Sequence, residues 1–315
     1  MKQKTKNLII LLPIIALIVY LLFSILRQPR PASVGEAVPI QSYRKIISLA
    51  PNTTEILFAL GLGDKVIGVS QFCNYPAEAK QRPRFGALMN PNYEAIAAAK
   101  PDLVIVLEEM LKPENKFAAM GIKTLAVKHN TIGDIFSSII MIGQACGKAE
   151  LANAMVNEFA EKMSAINKQP RQGKRPKVMI AVGHDISSNP DNAPANICIA
   201  GKDDFYSTMI DIAGGLNAYA GSIPFPMVSY ESIISMNPDI IIDIASVQSG
   251  QIDKQVIKEQ WRKFGLLDAV KNDRIYVFSE DYMAIPGPRF ILTLEKIAQV
   301  INGGLKPQKN ESNSN

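Results

Sequence analysis

The sequence predicts an α/β protein of two similar lobes with parallel-type sheets, joined by one long linker helix and preceded by an N-terminal transmembrane helix. Three observations lead to this prediction. The phrase at residues 94–105 recurs at residues 231–242, with its Glu, Ile, Pro and Asp in register. Apolar residues recur every three or four positions across 148–168, and an uncharged apolar run fills 8–26. A repeat this distant exceeds the roughly 20–50 residue periods of solenoids, so it indicates two lobes with a ligand cleft between them.

Each copy of the repeated phrase predicts a short helix followed by a buried strand. Asn92 and Ser229 can each accept a backbone N–H at the start of the helix. Glu94 and Glu231 fall in the first turn, where the helix dipole favours negative charge. The proline of each Pro-Asp pair ends the helix, because the residue before a proline is displaced from the α region. Branched apolar runs follow, as in strands buried on both faces of a parallel sheet.

The other elements repeat this plan in both lobes. In the N-terminal lobe (43–145), strands are expected at 45–49, 66–69, 103–107 and 124–127, and a helix at 51–61. The interlobe helix (146–175) is expected to run over 148–168 and to end at the polar segment 169–176. In the C-terminal lobe (176–305), strands are expected at 178–182, 240–244 and 274–278, and helices at 204–213 and 290–301. Since a helical connection is stiff, the lobes are expected to close only slightly around a ligand.

The two ends of the chain predict a membrane anchor, a linker and a tail. Residues 8–26 are 19 uncharged residues, about 28 Å long as a helix, which matches the hydrocarbon core of a bilayer. Three lysines precede them, so residues 1–7 are expected in the cytoplasm and the folded part on the extracytoplasmic face. The alternative is a cleaved signal peptide, whose apolar region is ordinarily only about 7–15 residues. Residues 27–42 are expected to be a linker, and residues 306–315 a disordered tail.

Composition argues against several classes of function. The chain has 34 basic and 29 acidic residues, and five of the basic ones lie in residues 1–30, which hold no acid. The folded part is therefore balanced, and nothing in it indicates nucleic acid. Only His129 and His184 are present, so a three-histidine metal site is impossible. The motifs G-x-x-x-x-G-K, G-x-S-x-G and Cys-x-x-Cys are absent, which disfavours an enzyme. The three cysteines allow two alternatives: one disulfide bridge with one free thiol, or three buried thiols.

Five motifs occur in a fixed order along the folded part of the chain. They are RKIISLAPNTTE at 44–55, GVSQFCNYP at 68–76, NPNYE at 90–94, IPFPMVSYE at 223–231 and SEDYMAIPGPR at 279–289. Together with the Pro-Asp strand entries, they resemble the helical-backbone (class III) periplasmic binding proteins that serve ABC importers of vitamin B12, iron-siderophores and haem. The resemblance covers about Tyr43 to Ile301. It is closest to the vitamin B12-binding branch, through residues 68–76 and 223–231.

The resemblance implies a receptor that is not an enzyme, with no catalytic residue, no bound metal and no cofactor of its own. It would be an extracytoplasmic monomer that delivers its ligand to an ABC permease dimer and its ATPase subunits. In this family an acidic residue on each lobe docks onto permease arginines, and Glu94 and Glu231 occupy those positions. A carboxylate on a short exposed helix suits bidentate pairing with arginine.

The resemblance also implies a ligand cleft lined by loops at the carboxyl ends of the strands. The B12-binding pattern has aromatic residues at the places of Phe72, Phe225 and Tyr282, and an aspartate at Asp281. Flat rings suit a corrin or porphyrin, and an acid suits its peripheral amides. The candidate ligand-binding residues are Phe72, Tyr75, Met89, His184, Phe225, Asp281 and Tyr282. Cobalamin is the expected ligand, with haem or a ferric siderophore as alternatives. The alternative of another class is an enzyme of the same architecture, such as a chelatase.

Overall fold

The structure is a computed structural model that describes residues 43–111, 116–170, 173–185, 193–202, 204–245 and 253–305. Within these ranges no helix is both long enough and apolar enough to cross a membrane. The predicted cytoplasmic tail (1–7), transmembrane segment (8–26), linker (27–42) and C-terminal tail (306–315) lie outside the described residues. The three cysteines are free thiols.

The first lobe contains a four-stranded sheet in which all neighbouring strands are parallel. In the spatial order β2-β1-β3-β4, its strands are β1 (Ile46–Ser48), β2 (Val66–Val69), β3 (Leu103–Leu107) and β4 (Thr124–Val127). The helices up to the second lobe are α1 (Pro51–Ala59), α2 (Tyr93–Ala99), α3 (Lys116–Ala119), α4 (Ile132–Ala145) and the linker helix α5 (Ala149–Asn167). β3 is buried at every position, as expected of a strand covered on both faces. All four predicted strands are present in this lobe.

The second lobe contains a six-stranded sheet of order β10-β9-β5-β6-β8, with β7 paired to β5. Its strands are β5 (Lys177–Asp185), β6 (Ala195–Ile199), β7 (Leu216–Asn217), β8 (Met227–Val228), β9 (Ile240–Ile244) and β10 (Ile275–Phe278). Its helices are α6 (Phe205–Ile212), α7 (Tyr230–Met236), α8 (Lys254–Arg262), α9 (Asp268–Lys271) and α10 (Phe290–Ile301). The parallel-type sheet predicted here is wrong in part, because β6 runs antiparallel to both β5 and β8. Antiparallel strands tolerate a solvated face, and β6 begins with two exposed residues.

The parallel part of the second sheet repeats the topology of the first. β7-β5-β9-β10 has the same chain order as β2-β1-β3-β4, so the prediction of two similar lobes is confirmed. The aspartate of each Pro-Asp pair holds the start of the first strand of its lobe. Asp102 accepts hydrogen bonds from the backbone N–H groups of Arg44 (2.7 Å) and Lys45 (3.0 Å). Asp239 accepts one from the N–H of Lys177 at 2.7 Å.

One hydrophobic core extends across both lobes and includes residues of the linker helix, and a second core cluster lies within the second lobe. Phe159 of α5 lies edge-on to Phe290 of α10, with ring centroids 5.2 Å apart. Phe136 of α4 lies 5.9 Å from Phe290. Because α4 belongs to the first lobe and α10 to the second, separating the lobes would expose these rings to water. The packing therefore favours a cleft whose width changes little.

Candidate functional site

A cleft of about 510 Å³ lies between the lobes, at the carboxyl ends of their parallel strands. Open α/β sheets ordinarily bind ligands at this edge, and the volume lies within the usual range for small-molecule sites. Both lobes contribute to its walls. The lining residues are Pro51, Asn52, Phe72, Asn74, Leu88, Leu107, His129, Ile244, Ala245, Glu280, Asp281, Ala284, Ile285 and Pro286.

Four of the seven predicted ligand-binding residues lie at or beside this cleft. Phe72 and Asp281 line it, one from each lobe. The ring of Tyr75 has its centroid 3.9 Å from the guanidinium carbon of Arg289, and the ring of Tyr282 lies 5.7 Å from the same atom. Tyr75, Asp281 and Tyr282 therefore gather around Arg289, which belongs to the same motif as Asp281 and Tyr282. Their contact with a ligand remains a prediction.

Arg289 joins the two lobes through a carboxylate on each side. Its Nε and Nη2 donate to the two oxygens of Glu55 at 3.1 and 2.6 Å. Its Nη1 and Nη2 donate to those of Asp281 at 2.8 and 3.1 Å. Glu55 lies on α1 of the first lobe, and its side chain is only 2% exposed, against 12% for Arg289. A Cβ added to Gly287 would lie 3.2 Å from the Cα of Asn52, so this loop packs directly on the first turn of α1.

The two carboxylates respond differently to Arg289. Burial raises the pKa of Glu55 above its ordinary value, and the hydrogen bond and charge of Arg289 offset that rise only in part. The hydrogen bond from Arg289 holds the pKa of the more exposed Asp281 below its ordinary value. Asp281 is therefore an ionised group on the cleft wall whose charge is already matched by a neighbouring cation.

Met89 and Phe225 do not line the cleft. Both side chains are exposed, each on a loop of its own lobe, and neither is among the residues of the cavity wall. Phe225 belongs to the segment that leads into the edge strand β8. The sequence pattern places both residues on loops correctly, but loop membership alone does not determine which way a side chain faces.

His184 is buried inside the second lobe and is not part of the cleft wall. Its Nε2 lies 2.6 Å from Oδ2 of Asp243, and the indole N–H of Trp261 donates to the same oxygen at 2.6 Å. Asp243 is itself buried in β9, so the histidine and the tryptophan satisfy a carboxylate that water does not reach. Burial alone would lower the pKa of His184, but the hydrogen bond and charge of Asp243 outweigh it and raise that pKa above 6.5.

The His184 contact predicts a stability that depends on pH. Because the folded state binds the imidazole proton more tightly than the unfolded state, the contact stabilises the fold fully below pH 6.5 and less as the pH rises through the higher folded pKa. Each unit of pKa difference corresponds to about 1.4 kcal/mol. We expect the difference in unfolding free energy between wild type and His184→Gln, measured in urea, to shrink across this rise. His129→Gln is the matched control, and a pH-independent difference for His184→Gln would contradict the expectation.

Several cleft residues were not predicted from the sequence. His129 follows β4 by two residues, so the strand-end rule that selected the other candidates applies to it as well. Glu280 follows β10 and is paired with Lys296 at 2.6 Å and Lys254 at 3.8 Å. Asn52 and Asn74 add amide groups. Among the described residues, the cleft wall holds no lysine or arginine, and both of its carboxylates are paired with cations outside it.

Glu94 and Glu231 lie at matching positions on the two lobes, and both are exposed. Each falls in the first turn of a seven-residue helix, α2 or α7. The helices start as predicted, because Asn92 accepts from the N–H of Ala95 and Ser229 from that of Ser232. A backbone N–H and the Ser229 hydroxyl lower the pKa of Glu231.

Comparisons with known proteins agree with this architecture. A family model described as periplasmic binding protein matches residues 46–282. An uncharacterised ABC transporter substrate-binding lipoprotein of Bacillus subtilis is 31% identical over 263 residues, which is 82% of this chain and 80% of the relative. A vitamin B12-binding protein of Vibrio cholerae is 27% identical over 282 residues, which is 88% of this chain and 91% of the relative.

A solved structure shows the same fold. It is the crystal structure of a possible iron-binding (periplasmic solute-binding) protein from Staphylococcus epidermidis, with a TM-score of 0.69 and 32% sequence identity. The match covers 83% of this chain and 99% of that protein. The fold described above thus occurs in a protein of known structure.

Proposed function

Since the chain belongs to the periplasmic binding protein family, we propose that it captures cobalamin, or a similar large chelate, and delivers it to an ABC importer. It would act on the extracytoplasmic face of the membrane, as a monomer, without catalysing a reaction. The importer would be a permease dimer with ATPase subunits. Residues 8–26 would anchor the chain, and residues 27–42 would give the folded part its reach.

The charge of the cleft wall is the observation that carries the proposal. The wall consists mainly of apolar and amide groups, and the charges of its two carboxylates, Glu280 and Asp281, are matched by Lys296 and Arg289. A ligand that brings carboxylates or phenolates with it would find no unmatched cation on the described wall, and burying an unpaired charge is costly. A chelate with apolar edges and neutral amides fits this wall better. Cobalamin has a corrin ring rimmed by amides, whereas haem carries two carboxylates.

Three residues of the first lobe that line the cleft also support a macrocyclic ligand with peripheral amides. Phe72 lines the cleft and presents a flat apolar face on which a macrocycle can stack. Asn52 and Asn74 provide donors and acceptors for amides. The vitamin B12-binding relative from Vibrio cholerae is 27% identical over 88% of this chain, which supports a ligand of the cobalamin kind.

A titration with three chelates tests the proposal. The purified protein is titrated calorimetrically with cyanocobalamin, haemin and a neutral ferric hydroxamate. Cyanocobalamin is expected to bind with a Kd of about 1 μM or tighter, which corresponds to a binding free energy of about −8 kcal/mol. It is also expected to bind more tightly than the other two chelates. Phe72→Ala is expected to weaken it about tenfold, whereas Leu266→Ala, at a highly exposed residue away from the cleft wall, should leave it unchanged. Tight binding of haemin alone would contradict the cobalamin assignment, and binding of none would contradict the receptor itself.

Glu94 and Glu231 complete the proposed function as the contacts to the permease. They are the acids of the repeated phrase, each on its own lobe, and their matching positions suit a partner built from two similar subunits. Arginine pairs with a carboxylate through two parallel hydrogen bonds, which fixes orientation as well as adding affinity.

A further inference from the structure

A second cavity, of about 130 Å³, lies on the second lobe beside the edge strand β10, and three lysines belong to its wall. We propose that this cavity binds a small oxyanion through the lysine ammonium groups and the outward backbone N–H groups of β10. Its volume suits a compact anion and is below the usual range for sites that take larger ligands. The walls of this cavity and of the cleft share one described residue, Glu280.

The cavity follows the edge of the sheet rather than one of its faces. Ile275 and Val277 pack into the core cluster within the second lobe, whereas Tyr276 and Phe278 pack into the cluster that spans both lobes. Their side chains therefore lie on opposite faces of the sheet, as the two-residue period of a strand requires. All four residues nevertheless line the cavity, so its wall includes the strand edge where the two faces meet.

The backbone at this edge supplies hydrogen-bond donors. Among the described strands, β9 is the only neighbour of β10. The carbonyls of Arg274 and Phe278 accept from N–H groups in and just after β9, at 3.0 and 2.8 Å. Since backbone groups alternate in direction along a strand, those of Ile275 and Val277 face away from β9, toward the cavity. The outward N–H groups of a sheet edge can form an anion-binding concavity.

The three lysines place positive charge around the same cavity. Lys254 and Lys258 lie one turn apart on α8, which puts them on one face of the helix, and Lys296 lies on α10. The side chain of Lys258 is only 6% exposed, against 34% for Lys254 and 25% for Lys296. Each ammonium group carries three donors. An anion can therefore enter past the two more exposed lysines and reach the buried one.

The neighbouring carboxylates do not match these lysines one for one. Glu280 accepts from Lys296 at 2.6 Å but lies 3.8 Å from the ammonium of Lys254, which is beyond hydrogen-bond distance. Asp273 lies 3.5 Å from Lys258 and is shared with an arginine of α8 at 3.1 Å. Each of these carboxylates thus serves two cations. A bound oxyanion would supply further negative charge where cations are in excess.

The pKa of Glu280 shows which charge dominates at the cavity. Burial would raise this pKa, but the hydrogen bond from Lys296 and the charges of Lys296 and Lys254 outweigh burial and lower it. The surroundings of Glu280 therefore favour negative charge. The same surroundings would favour the charge of an oxyanion bound beside it.

Titration of the purified protein with small anions tests the inference, with no ligand in the cleft. Inorganic phosphate and malonate are titrated calorimetrically at constant ionic strength, with chloride as the reference salt. We expect one anion to bind per chain with a Kd of about 1 mM or tighter for at least one of the two. The tighter one identifies the class as phosphate or dicarboxylate. In amide NMR spectra, the N–H signals of Ile275 and Val277 should shift as the anion binds.

Four variants make the result specific. Lys254→Gln and Lys296→Gln each remove one cation from the wall and should weaken anion binding by about tenfold. Glu280→Gln removes the carboxylate that competes with the anion for these lysines, so it should strengthen binding by about threefold or more. Lys162→Gln is the matched control, because it removes a lysine from an exposed pair on the linker helix. It should leave anion affinity unchanged.

Three results would overturn the inference. They are the absence of binding by both anions, unchanged affinity in Lys254→Gln and Lys296→Gln, and affinity in Glu280→Gln that is no higher than in wild type. The strengthening expected of Glu280→Gln cannot arise from a misfolded protein, so this variant separates loss of the site from loss of the fold. All of these measurements are made without a chelate, so their outcome leaves the proposed function to its own test.

Discussion

Replacement of Arg289 by methionine is expected to lower the unfolding free energy by about 3–5 kcal/mol at pH 7. Methionine has a similar reach but leaves the Glu55 carboxylate without its bidentate partner. Glu55 is buried in the first lobe, and both of its oxygens accept from Arg289. A buried charge that loses its partner retains the full cost of desolvation. Urea unfolding of the purified variant measures the loss.

The same variant has a pH signature. Burial already raises the pKa of Glu55, and Arg289 is the group that opposes the rise. Without Arg289 the folded-state pKa rises further, so the folded state retains a proton that the unfolded state releases near pH 4.5. For an acid with a raised folded pKa, stability is lost as the pH rises through that value. The deficit of Arg289→Met relative to wild type should therefore shrink as the pH falls from 7 toward 4.5.

Three comparisons separate this explanation from a general effect of losing a surface charge. Arg289→Lys keeps the charge but not the planar fork, so an intermediate loss is expected. Adding Glu55→Gln to Arg289→Met removes the orphaned charge and should recover part of the loss. Lys271→Met removes one partner of an exposed pair with Asp268 and should cost only about 0.2–1 kcal/mol. An Arg289→Met protein within about 1 kcal/mol of wild type at pH 7 would show that the contact contributes little.

Reversal of both proposed docking charges, Glu94→Lys with Glu231→Lys, is expected to abolish uptake of the ligand. Each change replaces a carboxylate–arginine attraction by repulsion between two cations, and the changes act at separate contacts. The combined loss in affinity for the permease should reach about a hundredfold or more, because even truncating one partner of a buried interfacial charge pair costs about 2–5 kcal/mol of binding free energy. Both residues are exposed on short helices away from the cleft wall. Ligand affinity should therefore stay at the wild-type value.

A matched variant controls for the change in net charge. Glu150→Lys with Glu161→Lys introduces the same charges on the exposed side of the linker helix, and Glu150 also lies in the first turn of its helix. This variant should transport normally. Uptake is measured in cells or in vesicles that carry the importer, beside calorimetric ligand affinity for each variant. Normal uptake by the Glu94/Glu231 variant, or an equal loss in the control, would contradict the docking assignment.

The architecture could be predicted because its determinants are local. The runs at 103–107 and 240–244 are apolar at nearly every position, which for runs this short is typical of strands buried on both faces. The caps at Asn92 and Ser229 lie two residues before Glu94 and Glu231, so one short phrase specifies the cap, the charged first turn and the helix end. Its recurrence then indicated two lobes without any knowledge of how they pack.

The cleft chemistry was less accessible, because it depends on contacts between distant segments. Arg289 and Glu55 are separated by 234 residues, and each taken alone has the features of a residue near a helix start. His184 lies beyond the predicted strand at 178–182, but β5 extends to Asp185, and the His184 ring pairs with Asp243, a single acid within an apolar strand. β8 is only two residues long, which is too short to produce any periodicity. The position of these residues depends on which side chains they contact in the folded protein, and residue type alone does not predict those contacts.

The interlocked rings of Phe136, Phe159 and Phe290 have a consequence for how the molecule can come apart. Heat or denaturant should unfold both lobes in a single cooperative step, since removing either lobe would expose the core cluster that spans the two. For the same reason, exchanging one half for that of a distant relative would require the three rings to be exchanged together. The two lobes thus share a topology but are not expected to fold independently of each other.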